Sequence, residues 1–94
     1  MKVIVRYFTT MRELAGTSQE EMLVGEGATL GETIERLASK YGQEAQRYLY
    51  FEEGKLDPSI RILVNGTDAG TLLGAETKLR DGDVVALIPP IGGG

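Results

Sequence analysis

Two patterns of apolar positions predict a β-strand near each end of the chain, one alternating and one continuous. Val3, Val5 and Tyr7 fall on one face of residues 2–8, and Lys2, Ile4, Arg6 and Phe8 fall on the other, so this strand is predicted to be half-buried. Residues 84–88 are apolar at every position, and a strand without a polar face is usually central in its sheet. We therefore expect the last strand to lie beside the first, in the parallel sense.

A helical repeat fills the segment between Thr29 and Gly42. Thr29 and Glu32 have the spacing of a capping box, in which the two side chains satisfy free amides at the start of a helix. Gly42 is placed to end the helix. The apolar positions behind the cap recur at helical spacing, namely Leu30, Ile34, Leu37, Ala38 and Tyr41. This segment is predicted to be the main helix.

Shorter patterns predict the remaining elements. We expect helical turns at residues 9–15, closed by Gly16, and at 45–51, where Tyr48, Leu49 and Phe51 would pack. Strands are expected at 19–24 and 60–64, and tight turns at 52–55, 65–66 and 81–83. The order of elements predicts an α+β protein with the β-grasp arrangement: a mixed sheet with one main helix packed across it. The domain would span residues 1–88, and residues 89–94 would form an extended C-terminal tail.

Composition excludes several kinds of chemistry. The 94 residues make one domain and include no cysteine and no histidine, so disulfides, thiol nucleophiles, the usual zinc ligands and an imidazole base are absent. We predict no metal site and no bound cofactor. The net charge of -4 argues against nucleic-acid binding. The longest apolar run is too short for a membrane span and no export signal is recognisable, so we expect a cytoplasmic protein.

The C-terminal segment departs from globular composition. Pro89 and Pro90 restrict the backbone to extended geometry as the chain leaves the last strand. Gly92, Gly93 and Gly94 lack Cβ atoms, so they can enter a channel too narrow for any side chain. The tail could thus carry its terminal carboxylate into a pocket of another protein. The alternative is a frayed terminus without a role.

Three segments together resemble the MoaD/ThiS family of ubiquitin-like sulfur carriers. Arg12-Glu13-Leu14-Ala15-Gly16 is similar to the family's REL-small-Gly segment, and Ile62-Leu63-Val64-Asn65-Gly66 to its hydrophobic-VNG strand. Residues 79–94, LRDGDVVALIPPIGGG, are similar to the family's Pro-Pro and Gly-Gly ending. The likeness is closest to the small subunit of molybdopterin synthase and to archaeal small modifier proteins.

This resemblance implies a defined chemistry at Gly94, with Gly93 beside it. An adenylyltransferase similar to ubiquitin-activating enzymes would use ATP to adenylate the Gly94 carboxylate, which is otherwise ionised and inert toward nucleophiles. Sulfur from a persulfide would then leave a thiocarboxylate. The large subunit of molybdopterin synthase would take this sulfur to build the dithiolene that binds molybdenum or tungsten. The chain itself would be a non-catalytic carrier.

The same resemblance suggests an apolar docking patch around the base of the tail. Its expected members are Phe8, Arg12, Ile88, Pro89, Pro90, Ile91 and Gly92, with Leu87 a weaker candidate. Core packing is the alternative for the apolar members, and a solvated helix charge is the alternative for Arg12. Asp81 and Asp83 are better explained by turn chemistry than by a cation site.

Three other functions remain open at this stage. The chain could be a ubiquitin-like modifier that is joined through Gly94 to lysines of target proteins. It could instead carry sulfur for another pathway, such as thiamine, cysteine or thiolated tRNA. A β-grasp adaptor with an idle tail is the third. The carrier and the modifier share fold, tail and activation step, so sequence does not separate them.

Overall fold

The computed structural model describes residues 1–52 and 55–89, and for Phe51 it describes the backbone only. The helices are α1 Thr9–Ala15, α2 Leu30–Tyr41 and α3 Gln43–Leu49, and short 3₁₀ turns lie at Ala69–Thr71 and Gly74–Glu76. The strands are β1 Lys2–Tyr7, β2 Gln19–Leu23, β3 Tyr50–Glu52, β4 Lys55–Leu56, β5 Arg61–Val64, β6 Thr67–Asp68 and β7 Val84–Ile88.

Five strands form one mixed sheet in the order β2-β1-β7-β5-β6. β7 pairs with β1 in parallel and with β5 in antiparallel, so it is the middle strand. The prediction from its apolar composition is therefore confirmed, as is the β-grasp class. β3 and β4 form a separate antiparallel pair.

The core lies between this sheet and α2. Val3, Val5 and Tyr7 are buried on one face of β1, and Val85 and Leu87 are buried on the same face of β7. The predicted apolar stripe of α2 packs against them, with Leu30, Ile34, Leu37 and Ala38 buried. The period-two and helical patterns of the sequence thus identify both sides of the core.

The caps of α2 follow the predicted chemistry in part. The Thr29 hydroxyl accepts a hydrogen bond from the amide of Glu32 at 3.2 Å, which satisfies one of the free donors of the first turn. Among the hydrogen bonds of the described residues, no return bond joins the Glu32 carboxylate to the Thr29 amide. Gly42 ends the helix at φ 85°, and its amide donates to the carbonyl of Ala38. The capping box is therefore half formed.

The segment after α2 differs from its prediction. The second helical turn was expected at residues 45–51, but α3 begins at Gln43 and ends at Leu49, and Tyr50 enters β3. A three-residue strand carries too little periodicity to be recognised in sequence. The turn expected at 52–55 includes Glu53 and Gly54, which lie outside the described residues, as does the side chain of Phe51.

The two other predicted turns are confirmed. Asn65 and Gly66 have φ of 51° and 84°, the left-handed conformations that a two-residue hairpin between β5 and β6 requires. In the turn before β7, the Asp81 carboxylate accepts from the amide of Lys2 at 2.8 Å. The Asp83 carboxylate accepts from the Arg80 amide at 2.8 Å and from the Asn65 side chain at 2.9 Å. Both carboxylates thus stabilise the turn by accepting hydrogen bonds, as predicted.

A polar cluster joins β2 to the end of α2. The Glu20 carboxylate accepts hydrogen bonds from the Tyr41 hydroxyl and, at 2.7 Å, from the Lys40 ammonium. Burial acts to raise the pKa of Glu20, but the bonds from Lys40 and Tyr41 and the nearby Tyr7 hydroxyl leave that pKa below its usual value. Burial, followed by the adjacent Glu20, raises the pKa of Tyr7 far above normal. Glu20 is therefore held in its charged form.

We expect Glu20→Gln to lower the free energy of unfolding at neutral pH by about 1–2 kcal/mol, because Tyr41 loses a charged acceptor. The pKa of Glu20 is lower in the folded than in the unfolded chain, so this stabilisation is present above the unfolded value of about 4.3. It is lost as pH falls through the folded value. Urea unfolding between about pH 7 and pH 3 should therefore show the wild-type and variant stabilities converging in acid.

The matched control is Glu13→Gln, which removes an exposed carboxylate from α1. It should change stability little at any pH. A difference between wild type and Glu20→Gln that stayed constant across the pH range would contradict a role for the Glu20 charge.

Candidate functional site

The base of the tail lies at the end of the sheet where β1 and β7 both terminate. The two strands run parallel, and their register pairs Tyr7 with Leu87. Phe8 directly follows β1 and Ile88 is the last residue of β7, so the two lie side by side where these strands end. Pro89 follows β7 directly and is half-buried. The structure thus brings together the described apolar members of the predicted docking patch.

Alternation along β7 separates core residues from surface residues. Val85 and Leu87 face α2 with 0% and 2% of their surface exposed. Val84, Ala86 and Ile88 are half-buried on the opposite side of the sheet. The weaker candidate, Leu87, is thus a core residue and not part of a docking patch. Ile88 has the accessibility that a contact residue needs.

The half-buried side of β7 belongs to a larger apolar surface, which we call the outer face patch and define by Ile4, Leu63, Val84, Ala86 and Ile88. The strand register joins its members directly: Ile4 pairs with Val84, and Leu63 with Ala86. No helix covers this side of the sheet among the described residues. Sequence analysis missed Ile4 and Leu63 as site residues, although alternation had already assigned Ile4 to the outward side of β1.

Cationic side chains border the outer face patch. The Arg6 guanidinium lies 5.6 Å from the centre of the Phe8 ring, a cation–π contact that orients both residues. Arg61 pairs with Ile88 in the strand register and forms a salt bridge of 3.3 Å with Asp68. The patch is therefore apolar at its centre, with the positive charge of Arg6 beside it, whereas the charge of Arg61 is balanced by Asp68.

Arg12 reaches the same end of the sheet from α1. Thr9 adopts φ 42°, a left-handed conformation that is costly for a β-branched residue, and this turns the chain sharply after Phe8. Met11 is fully buried and anchors α1 to the core. The Arg12 amide donates to the Phe8 carbonyl at 3.4 Å, and the side chain is exposed. The Arg12 side chain is therefore accessible to solvent, one helical turn from Phe8.

Pro90, Ile91, Gly92, Gly93 and Gly94 lie outside the described residues.

Away from the base of the tail, a groove opens on the helical side of the molecule. An open groove of about 530 Å³ lies between α2 and α3, where Glu35, Ala38, Arg47 and Tyr50 are among its lining residues. Ser39 also lines this groove, and the hydrogen bonds of the described residues include none between its hydroxyl and a carboxylate. Residues 1–52 and 55–89 contain no group of three or more acidic side chains able to hold a metal ion. None of the helices described is long and apolar enough to cross a membrane.

Comparison with known proteins identifies consistent relatives. A model described as the ThiS family matches residues 5–94. Small archaeal modifier protein 3 of Haloferax volcanii is 35% identical over 94 residues, covering all of both chains. The molybdopterin synthase sulfur carrier subunit of Escherichia coli is 33% identical over 91 residues, covering 96% of each.

The solved structures agree with these sequence matches. The solution structure of small archaeal modifier protein 1 (SAMP1) from Methanosarcina acetivorans superposes with a TM-score of 0.82 at 35% identity. The match covers 99% of this chain and 96% of that one. The names of these relatives describe both sulfur carriers and protein modifiers.

Proposed function

The chain belongs to the ThiS family, and on this basis we propose that it is a sulfur carrier serving as the small subunit of molybdopterin synthase. The Gly94 carboxylate would be the group that carries the sulfur. The observation that most supports this function is the position of β7, the central strand, which runs directly toward the Pro-Gly tail. The family model also extends through that tail to residue 94.

The chemistry takes place on the acyl carbon of Gly94. A carboxylate oxygen attacks the α-phosphorus of ATP on an adenylating partner, which expels pyrophosphate and leaves an acyl adenylate. A persulfide sulfur then attacks the acyl carbon and expels AMP. A thiol cleaves the resulting sulfur–sulfur bond, and a thiocarboxylate remains. The carrier contributes the acyl group, while the partners contribute ATP, sulfur and thiol.

The domain's own task is to present the tail. β7 is hydrogen-bonded to a strand on each side, so the exit point at Ile88 and Pro89 is held firmly. The outer face patch and Phe8 offer an apolar contact area beside that exit, and Arg6 and Arg12 add positive charge. A partner with an apolar surface ringed by acidic groups would fit this arrangement. The active site then lies in the partner, in the cytoplasm.

A reconstituted synthase assay tests this function. The thiocarboxylate form of the chain, mixed with the molybdopterin synthase large subunit and its precursor, should yield the dithiolene product. The control is a chain extended by one alanine after Gly94, which keeps the fold and every glycine but moves the carboxylate. It should be inactive. Equal product from both forms, or none from the thiocarboxylate form, would contradict the proposal.

A second function is favoured by the likeness to small archaeal modifier protein 3, which spans all of both chains. In that case Gly94 would form an isopeptide bond with lysines of target proteins. Affinity capture of the tagged chain from its native cells under denaturing conditions would distinguish the two. Heavier covalent conjugates that are lost in the alanine-extended chain would establish the modifier role; their absence would leave the carrier role alone.

A further inference from the structure

β2 forms an edge of the five-stranded sheet, and one side of its backbone has no neighbouring strand among the described residues. Met1 and Val24 exchange both backbone hydrogen bonds, at 2.8 and 2.9 Å. Such pairs alternate along antiparallel strands with pairs whose polar groups point outward. The backbone groups of Gln19, Glu21 and Leu23 therefore point toward the open edge.

Two of these outward-pointing carbonyls already accept a hydrogen bond from a side chain. The Arg36 guanidinium, from α2, donates to the carbonyl of Leu23. The Thr17 hydroxyl donates to the carbonyl of Gln19 at 3.0 Å. Between them, the hydrogen bonds of the described chain include none to the N–H or C=O of Glu21. At Glu21, an added strand could therefore bond both the N–H and the C=O group. At Gln19 and Leu23, a side chain already donates the hydrogen bond that an added strand would otherwise provide.

The two faces of such an added strand would contact different kinds of side chain. Beside the outward face of β2 lies Leu23, which is 70% exposed, so an apolar side chain would gain contact there. On the other side, α2 presents the exposed cations Arg36 and Lys40. The nearby carboxylates already have partners, since Glu20 binds Lys40 at 2.7 Å and Glu21 lies 3.5 Å from the Lys2 ammonium.

We propose that the open edge of β2 binds an extended segment of a partner protein in which apolar and acidic residues alternate. The segment adds a strand to the sheet, and its apolar side chains cover Leu23. One of its backbone amides replaces Arg36 on the Leu23 carbonyl, which frees the guanidinium to pair with a carboxylate of the segment. Strand spacing puts this edge roughly 10 Å from β7, so the inference goes beyond the tail chemistry proposed above.

A second copy of this chain is a poorer occupant of the same edge. Antiparallel pairing of two β2 strands would bring the Glu20 and Glu21 side chains of both copies close together. Like charges facing each other across a strand pair are destabilising. The proposed segment of another protein avoids this repulsion, because its acidic side chains lie toward Arg36 and its apolar side chains lie toward Leu23.

The test uses two synthetic peptides, each long enough to span β2, one alternating valine with aspartate and the other valine with lysine. We expect the aspartate peptide to bind in fluorescence anisotropy and to slow hydrogen exchange of the Glu21 amide. The Glu20 amide, which points toward β1, is the internal control and should change little. Arg36→Glu should weaken binding about tenfold through loss of a charge pair. Arg47→Glu, the same charge change on α3, should leave it unaltered.

Several results would overturn the proposal. They are equal binding of the lysine peptide, an unprotected Glu21 amide at saturation, or full affinity in Arg36→Glu. Self-association of the chain through β2, seen by light scattering and by Glu21 protection without peptide, would also overturn it. A circular dichroism melt of Arg36→Glu verifies that the variant is folded.

Discussion

Removal of Gly93 and Gly94 is expected to abolish activation by the adenylating partner while leaving the thermal unfolding midpoint nearly unchanged. The buried core residues of the described chain all lie between Val3 and Leu87, so the fold does not depend on the last two glycines. In the proposed function activation would depend on them, because the carboxylate would have to reach the α-phosphorus of ATP. A truncated tail would stop roughly 7 Å short, at about 3.3–3.6 Å per residue.

Two readouts are needed for this variant. ATP–pyrophosphate exchange catalysed by the partner measures activation, and circular dichroism measures unfolding. A finer version compares Gly93→Ala with Gly25→Ala. A Cβ on Gly25 would meet nothing within 4 Å, so that change should be neutral in both assays. Gly93→Ala should slow exchange by about a hundredfold, as expected for a displaced reacting group. A large drop in the midpoint of the truncated chain would mean that the tail is structural.

Leu87→Ala is expected to cause the largest loss of stability among the residues near the tail. Leu87 is 2% exposed on the central strand, and truncation of such a side chain costs about 3 kcal/mol, or roughly 12–24 °C in the unfolding midpoint of a domain this size. Its neighbour Ile88 faces the other way and is half-buried. Ile88→Ala should therefore cost far less stability but weaken the complex with the large subunit by about tenfold or more.

Comparison of these two variants separates the effect of core packing on stability from the effect of the docking surface on partner binding. Thermal melts and calorimetric titration with the large subunit give the two quantities for each protein. If Ile88→Ala lowered the midpoint as much as Leu87→Ala, the outer face patch would be part of the packing. If Ile88→Ala bound the partner normally, the patch would have no role in docking.

Sequence predicted the parts of the fold that depend on local periodicity. The helical stripe of α2 and the uniformly apolar β7 each repeat over enough positions to reveal which side is buried. β3 and β4 escaped prediction because strands of three and two residues have no period to detect. The bounds of α3 were wrong because its end depends on Tyr50 joining a strand, which is a tertiary contact.

The surface patches could not be predicted without the strand register, which the sequence pattern does not give. Alternation assigned Ile4 to an outward face, but only the neighbouring positions of β1, β7 and β5 bring it into one patch with Leu63. Likewise, Arg36 and Leu23 are separated in sequence and meet because α2 crosses the sheet beside β2. The tail was the opposite case. Its extended and narrow geometry could be predicted from residue types alone, since prolines and glycines restrict or free the backbone wherever they occur, whereas its chemistry came from the resemblance to the MoaD/ThiS family.

Intact-mass spectrometry of the protein purified from its native cells is the most direct test of the central claim, that the Gly94 carboxylate carries sulfur. The account predicts a species in which one oxygen has been replaced by one sulfur, with fragmentation placing the change at the last residue. Only unmodified chain, even after incubation with the adenylating partner, ATP and a persulfide donor, would contradict it.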